Sequence, residues 1–141
     1  MKDTENAEAQ TQKALKRNIN RYPHSDITEK IIGCAIEVHK TMGPGFKESA
    51  YENALIHEFA GLGLKYERQK PVDIPYKGAK VGSHKLDLLV EGKVIVELKA
   101  VRDFNIEDKK RLLSYLKATN MKVGLLINFS KSIIQVKRFI L

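Results

Sequence analysis

Leu86-Asp87-Leu88-Leu89-Val90-Glu91-Gly92-Lys93-Val94-Ile95-Val96-Glu97-Leu98-Lys99-Ala100-Val101 reads as two short strands joined by a tight turn. Side chains on a strand alternate between faces. Val94, Val96, Leu98 and Ala100 therefore point one way, and Ile95, Glu97, Lys99 and Val101 the other. Both faces carry apolar residues, as in a strand covered on both sides, yet Glu97 and Lys99 interrupt one of them. Asp87 interrupts a run of leucines in the same way. Burying a charge is expensive unless it is paired or binds a metal. Two carboxylates and an ammonium held together in a sheet are what metal-assisted phosphodiester hydrolysis requires. The competing reading is an edge hairpin whose charges simply reach solvent.

Register decides whether the charges meet. Asp87 and Glu97 share a face only if paired residues across the hairpin have numbers with an even sum. That demands an odd loop such as Glu91-Gly92-Lys93, or a bulge, whereas a plain two-residue turn over Glu91-Gly92 would separate them.

Outward from the hairpin, the remaining pattern is that of one domain. At 141 residues the chain is long enough for a real core. Hydrophobic residues make up 43% and charged residues 30%, ordinary for a globular protein, and no apolar run approaches a membrane span. Residues 1–24 are polar, show no apolar signal region and read as a flexible tail, with a transient helix over 9–18. Cys34 is the single cysteine, which excludes an internal disulfide and fits a reducing cytoplasm. From residue 99 to 141 there are ten basic and three acidic residues, a net +7 of the chain's +8. Such a half is either an electrostatic footprint for polyanions or a set of solvated lysines.

Ser25, Asp26 and Glu29 form a helix start, and Ile27, Ile31, Ala35 and Val38 give a helical stripe ending at Gly43-Pro44-Gly45. A second helix spans about 47–61, with Tyr51, Leu55, Phe59 and Leu62 as its apolar face. A strand over 65–76 is demoted toward an edge by Pro71 and Pro75. Strands over 81–90 and 93–101 form the hairpin. A helix over 105–119 turns Ile106, Leu112, Leu113 and Leu116 to the core. Residues 122–129 (KVGLLINF) are a buried central strand, and 133–140 close the sheet and could pair across a homodimer. The order ααβββαββ predicts an α/β or α+β sandwich, a mixed central sheet flanked by helices.

Gly45-Phe46-Lys47-Glu48-Ser49-Ala50-Tyr51 matches the GxxExxY signature of a small bacterial and archaeal family. The resemblance continues through Ile32-Gly33, Val38-His39, the hairpin strands, Leu112 to Thr119 and Val123 to Phe129, covering roughly 26–141. That family looks like a member of the PD-(D/E)XK nuclease-like superfamily. The resemblance implies a restriction-endonuclease-like αβββαβ core, a domain over 25–141, and an Asp…Glu-x-Lys triad at Asp87, Glu97 and Lys99. Asp87 and Glu97 would then ligate Mg²⁺ or Mn²⁺, with the Leu98 carbonyl as a third ligand, and Lys99 would position the attacking water. In related nucleases a glutamate on the first core helix often reaches the metal. Glu48 is the candidate here, against a reading in which it only complements the helix dipole. One departure stands out: Arg111 occupies a place where the family usually has glutamine, and Asp108 one where it has histidine. Arg111 either binds phosphate or neutralises Asp87 and Glu97, displacing the metal.

Lys109, Lys110 and Arg111, with Lys131, Lys137 and Arg138, are candidate backbone contacts for nucleic acid. Tyr51 and Tyr115 are candidate substrate contacts, each with packing as the rival explanation. Gly43-Pro44-Gly45 lacks the Lys-Ser/Thr of a phosphate loop. His24, His39, His57 and His84 show no zinc spacing, and His39 suits a helix C-terminus. The expected function is a Mg²⁺- or Mn²⁺-dependent, cytoplasmic DNA nuclease, monomeric or homodimeric. The alternative is an inactive nuclease-fold module that binds nucleic acid or a protein through its basic half.

Overall fold

The hairpin adopts the even register. Leu88 pairs with Val96, Leu89 with Ile95 and Val90 with Val94. The Val90 carbonyl accepts the Lys93 N–H at 3.0 Å, with Glu91 (φ 55°) and Gly92 (φ 65°) both left-handed between them. One extra residue beyond that tight turn gives the odd loop. Left-handed backbone is easy for Gly92 but costly for Glu91. The Glu91 N–H donates to the Lys65 carbonyl at 2.8 Å, and the Glu91 carboxylate accepts the Lys65 N–H at 2.9 Å.

The computed structural model describes residues 7–10 and 22–141. Its elements are α1 (Ser25–Met42), α2 (Glu48–Leu62), β1 (Tyr66–Tyr76), β2 (Ala79–Val90), β3 (Val94–Lys99), α3 (Ile106–Thr119), β4 (Val123–Asn128) and β5 (Gln135–Ile140). The five strands form one sheet in the order β1-β2-β3-β4-β5. β3 and β4 run parallel and are joined through α3, while the other neighbours are antiparallel. This is the expected α+β architecture, and α2 through β4 supply the αβββαβ order. Pro71 and Pro75 fall on β1, an edge strand, and its register slips between Ile74 and Pro75.

Helices α1 and α2 cover one face. Ile31, Ala35, Leu55 and Phe59 pack there on Leu88, Val96, Leu125 and Ile127, the core of the larger cluster. Helix α3 covers the other face with Leu112 and Leu116 against Leu86, Leu89, Ile95 and Leu126. A Cβ on Gly124 would lie 2.9 Å from Leu112 Cδ1, so the glycine lets α3 sit close on β4. β4 is buried along its whole length, as its unbroken apolar run predicts.

Several expected core positions are not in the core. Ile106 is 60% exposed and Leu113 lies at the surface, because Leu112 and Leu116, four residues apart, already define the narrow inward stripe of α3. Leu62 is also exposed at the end of α2, and Leu64 is buried just beyond it. Helix α1 begins at Ser25 as expected but without a side-chain cap. Left-handed His24 is the N-cap, and its carbonyl accepts the Ile27 and Thr28 N–H groups.

The expected tail over 1–24 lies outside the described residues at 1–6 and 11–21. Residues 7–10 are helical, and Glu8 is buried. Its carboxylate meets His39 Nδ1 at 2.7 Å, while His39 Nε2 bonds the Lys131 carbonyl at 2.7 Å. His39 is thus a buried connector between segments, beyond any role at the helix C-terminus. Cys34 is buried, and burial followed by nearby Glu58 pushes its thiol up to about 11.

Candidate active site

The site begins where β2 leaves β3. Direct pairing stops at Leu88 and Val96. Beyond it Asp87 Oδ2 accepts the Leu98 N–H at 2.8 Å, so a carboxylate takes the place of the next backbone partner. On the opposite side, Arg68 pairs with Leu88 and Lys70 with Leu86, but Gln69 between them is left-handed (φ 47°) and unpaired in the ladder. Leu86 and Leu89 consequently face the same cluster although they are three residues apart. Alternation fails at Asp87, and its side chain lies in the opening between the two strands.

Glu97 lines the same opening. Burial first, and then the neighbouring Asp87 carboxylate, push the Glu97 carboxyl up to about 9. Two acids this close cannot both ionise cheaply without a cation. Glu97 Oε1 is buried with no hydrogen-bond partner. It faces His84 Nε2 at 3.8 Å, too long for a hydrogen bond, and that nitrogen is also buried and unpartnered. The His84 ring stacks on Tyr115 with centroids 3.9 Å apart and planes 17° apart. Burial holds the imidazole pKa below its ordinary value, with Asp87 opposing and Arg111 and Lys99 assisting.

Lys99 extends from the end of β3 to α3, where its Nζ lies 3.5 Å from Asp108 Oδ1. Asp108 also closes a capping box: its N–H donates to Asn105 Oδ1 at 2.8 Å, and its Oδ2 accepts the Asn105 N–H at 3.2 Å. Arg111 Nη1 lies 3.8 Å from that same Asp108. The guanidinium therefore borders the cleft, half-exposed and drawn to Asp108, rather than wedged between Asp87 and Glu97.

The Gly45…Glu48…Tyr51 spacing has a structural explanation. The Tyr51 hydroxyl donates to the Gly43 carbonyl at 2.6 Å and accepts the Phe46 N–H at 3.2 Å. Its ring is fully buried and stacked on Phe129 at 4.5 Å. Gly43 (φ 70°) and Gly45 (φ 111°) allow the sharp turn between α1 and α2. The pinned loop delivers Glu48 to the start of α2, where its Oε1 accepts the Ala100 N–H at 3.4 Å and it lines the cleft beside Asp87. Tyr51, a candidate substrate contact with packing as the rival explanation, is thus engaged inside the core with its hydroxyl tied locally, as the packing explanation has it.

Asp87, Glu97, Leu98, Lys99, Glu48, Arg111 and Tyr115 converge on one cleft. Lys109 and Lys110 lie on the first turns of α3 outside it, with Lys110 near Glu107 at 4.0 Å. The other basic candidates are dispersed. Lys131 pairs with Asp103 at 2.6 Å, Lys137 is exposed, and Arg138 turns toward α1, bonding Thr28 Oγ1 at 3.1 Å and lying over the Tyr22 ring.

His84 and Asp108 line the cleft although neither was assigned a site role from the sequence. On a regular strand His84 and Asp87 would face opposite sides; only the distortion at Asp87 unites them. Asp108 could have been found from its position three residues after Asn105, a capping-box spacing. Among the described residues no group of three or more His, Cys, Asp or Glu side chains is placed to hold a metal ion. The fit to a cation rests on two adjacent carboxylates, one with an orphaned buried oxygen. Hard oxygen donors of this number suit an ion that keeps part of its water shell.

A family model described as the PD-(D/E)XK nuclease superfamily matches residues 25–139. Neither a curated protein nor a solved structure matches the chain.

Proposed function

We propose, from the premise that this chain belongs to the PD-(D/E)XK nuclease superfamily, that it is a divalent-metal-dependent nuclease hydrolysing phosphodiester bonds in DNA. Its GxxExxY signature assigns it, in the same reading, to the family so named. The observation that carries the proposal is the half-buried Asp87–Glu97 pair, whose Glu97 Oε1 is buried and unpartnered. Such a pair is costly alone and favourable around a cation.

Asp87 and Glu97, with the Leu98 carbonyl, would hold Mg²⁺ or Mn²⁺. When bound, the ion supplies charge stabilisation at the scissile phosphate and a water of lowered pKa. Lys99 orients the attacking water from its place at the end of β3. Glu48, anchored by the Ala100 N–H, adds negative charge on the α2 side. Arg111, half-exposed at the cleft rim, is suited to a bidentate phosphate contact. Lys109 and Lys110 extend that positive rim along α3, and Tyr115 walls the cleft. Among the described residues no helix is long and apolar enough to cross a membrane.

The test is cleavage of plasmid and single-stranded DNA with Mg²⁺ or Mn²⁺. Glu97→Ala and Lys99→Ala are expected to abolish cutting while salt-dependent binding persists. The Lys99–Asp108 ion pair favours a second reading, an inactive binding module, because it draws the ammonium from the acids. DNA binding without cutting under any divalent cation would establish that reading.

A further inference from the structure

We propose that the β1–β2 ribbon from Lys70 to Lys85 is an arm that enters the major groove of duplex DNA beside the cleft. The inference rests on the DNA-directed reading above and makes its substrate double-stranded.

β2 pairs with β3 only at Leu88, Leu89 and Val90. From Leu86 outward it pairs with β1 alone, as far as Ala79 against Tyr76. Ala79 and Leu86 are about 23 Å apart at ordinary strand rise, so the ribbon runs well past its last contact with β3. Its base is fastened, because Val72 packs with Leu86 on the α3 face and the His84 ring stacks on Tyr115. Beyond that base, Pro75 to Val81 is exposed throughout. The tip closes through Lys77 (φ 47°) and Gly78 (φ 82°), both left-handed, a turn whose twist suits a two-stranded ribbon. A projection of this kind buries little, so packing does not account for it.

Charge and shape select the occupant. Residues 70–85 hold four lysines and one aspartate. Lys70 and Lys80 reach Glu67 and Asp73 at 3.2 and 3.3 Å, but both pairs are open to solvent and therefore weak. Lys77 lies over the exposed Tyr76 ring at 5.5 Å, and Lys85 lines the cleft itself. Positive charge thus continues from the cleft to the tip. The major groove of B-form DNA, about 12 Å wide, admits a two-stranded ribbon, whereas that of duplex RNA is too deep and narrow. Exposed Tyr76 and Val81 supply the apolar contacts that thymine methyl groups accept there. A second copy of this chain fits less well, because Pro71 and Pro75 deny their N–H groups to an added strand.

The test is fluorescence anisotropy on the full chain in chelator, so that metal-dependent cutting plays no part. The probes are a short labelled DNA duplex, one of its strands, and the RNA duplex of the same sequence. Wild type is expected to bind the DNA duplex several-fold more tightly than either of the others. Lys77→Ala combined with Lys80→Ala should weaken duplex binding about tenfold and make the salt dependence shallower by about two, with an unchanged circular dichroism spectrum. Asp73→Asn, which removes the one aspartate of the arm, should tighten it. Equal affinity for the DNA duplex and its single strand, or for the two duplexes, overturns the inference and leaves the nuclease reading standing. A folded double variant with wild-type affinity and salt slope overturns it as well. Wild type that binds no nucleic acid overturns both. The expected preferences without cutting under any divalent cation support the arm and overturn the nuclease alone. The wild-type comparison of the three probes carries the test even if a variant does not fold.

Discussion

The two faces of the sheet are built for different ends. Under α1 and α2 the packing is broad and apolar, running from Ile31 and Phe59 across Val96 to Ile127. Under α3 it is a narrow patch around Leu89, Ile95 and Leu112, and the same strands carry Glu97 and Lys99 beyond its edge. The wide face supplies stability, and the narrow face can then hold like charges that oppose it. Stability and chemistry should therefore respond to different substitutions.

Phe59→Ala is the severest way to break that division. Phe59 is fully buried in the larger cluster, so its truncation should cost about 3–5 kcal/mol, read by urea denaturation. On the other face, Lys99→Met should leave the unfolding midpoint near wild type while cutting DNA cleavage about 10²-fold or more. A large stability loss with Lys99→Met would mean that its Asp108 contact is structural. Between these lies Gly124→Val. The added side chain meets Leu112 at the close approach of α3 and β4, and overpacking there should cost about 1–3 kcal/mol.

Most of the wide face was legible in the sequence because periodicity reports burial. Ile27, Ile31, Ala35 and Val38 mark α1, and the unbroken run in β4 marks a strand covered on both sides. The even hairpin register could be framed in advance but not chosen, since Glu91-Gly92 also suits a two-residue turn. The narrow face was less legible. Ile106 and Leu113 look like core on α3, yet its contact with the sheet is only one stripe wide. His84 was hidden by the failure of alternation at Asp87, which depends on left-handed Gln69 one strand away. The direction of Arg111 depended on Asp108, whose carboxylate competes for it with the acids of the cleft.

Protonation offers a finer probe of the narrow face. The folded Glu97 carboxyl titrates at about 9 rather than 4.5, so folding favours its protonated form. Its stabilising contribution is complete below about pH 4.5 and is lost as pH rises toward 9. In chelator, wild type should therefore lose stability relative to Glu97→Gln between about pH 5.5 and 8 (one unit inside each limit). Saturating Mn²⁺ should reverse that trend in wild type, because a cation that binds only the ionised acid competes with fewer protons as pH rises and so stabilises the fold more. Parallel curves for the two proteins would mean that Glu97 is already ionised in the fold.

The smallest expected effect is the one that couples the two functions. Asn105 caps α3 through the Asp108 N–H, and Asp108 in turn holds both Lys99 and Arg111. Asn105→Ala should cost about 1 kcal/mol of stability, a shift that leaves the wide face folded. It also removes one of the two hydrogen bonds that fix Asp108 at the first turn of α3. If Asp108 positions Lys99, cleavage should fall by a larger factor than this stability loss explains, with KM for DNA little changed. Asn105→Ser, which keeps a capping oxygen, should restore both. Cleavage that merely tracks the folded fraction would show that the cap serves the helix alone, and that Lys99 holds its place through β3 without help from α3.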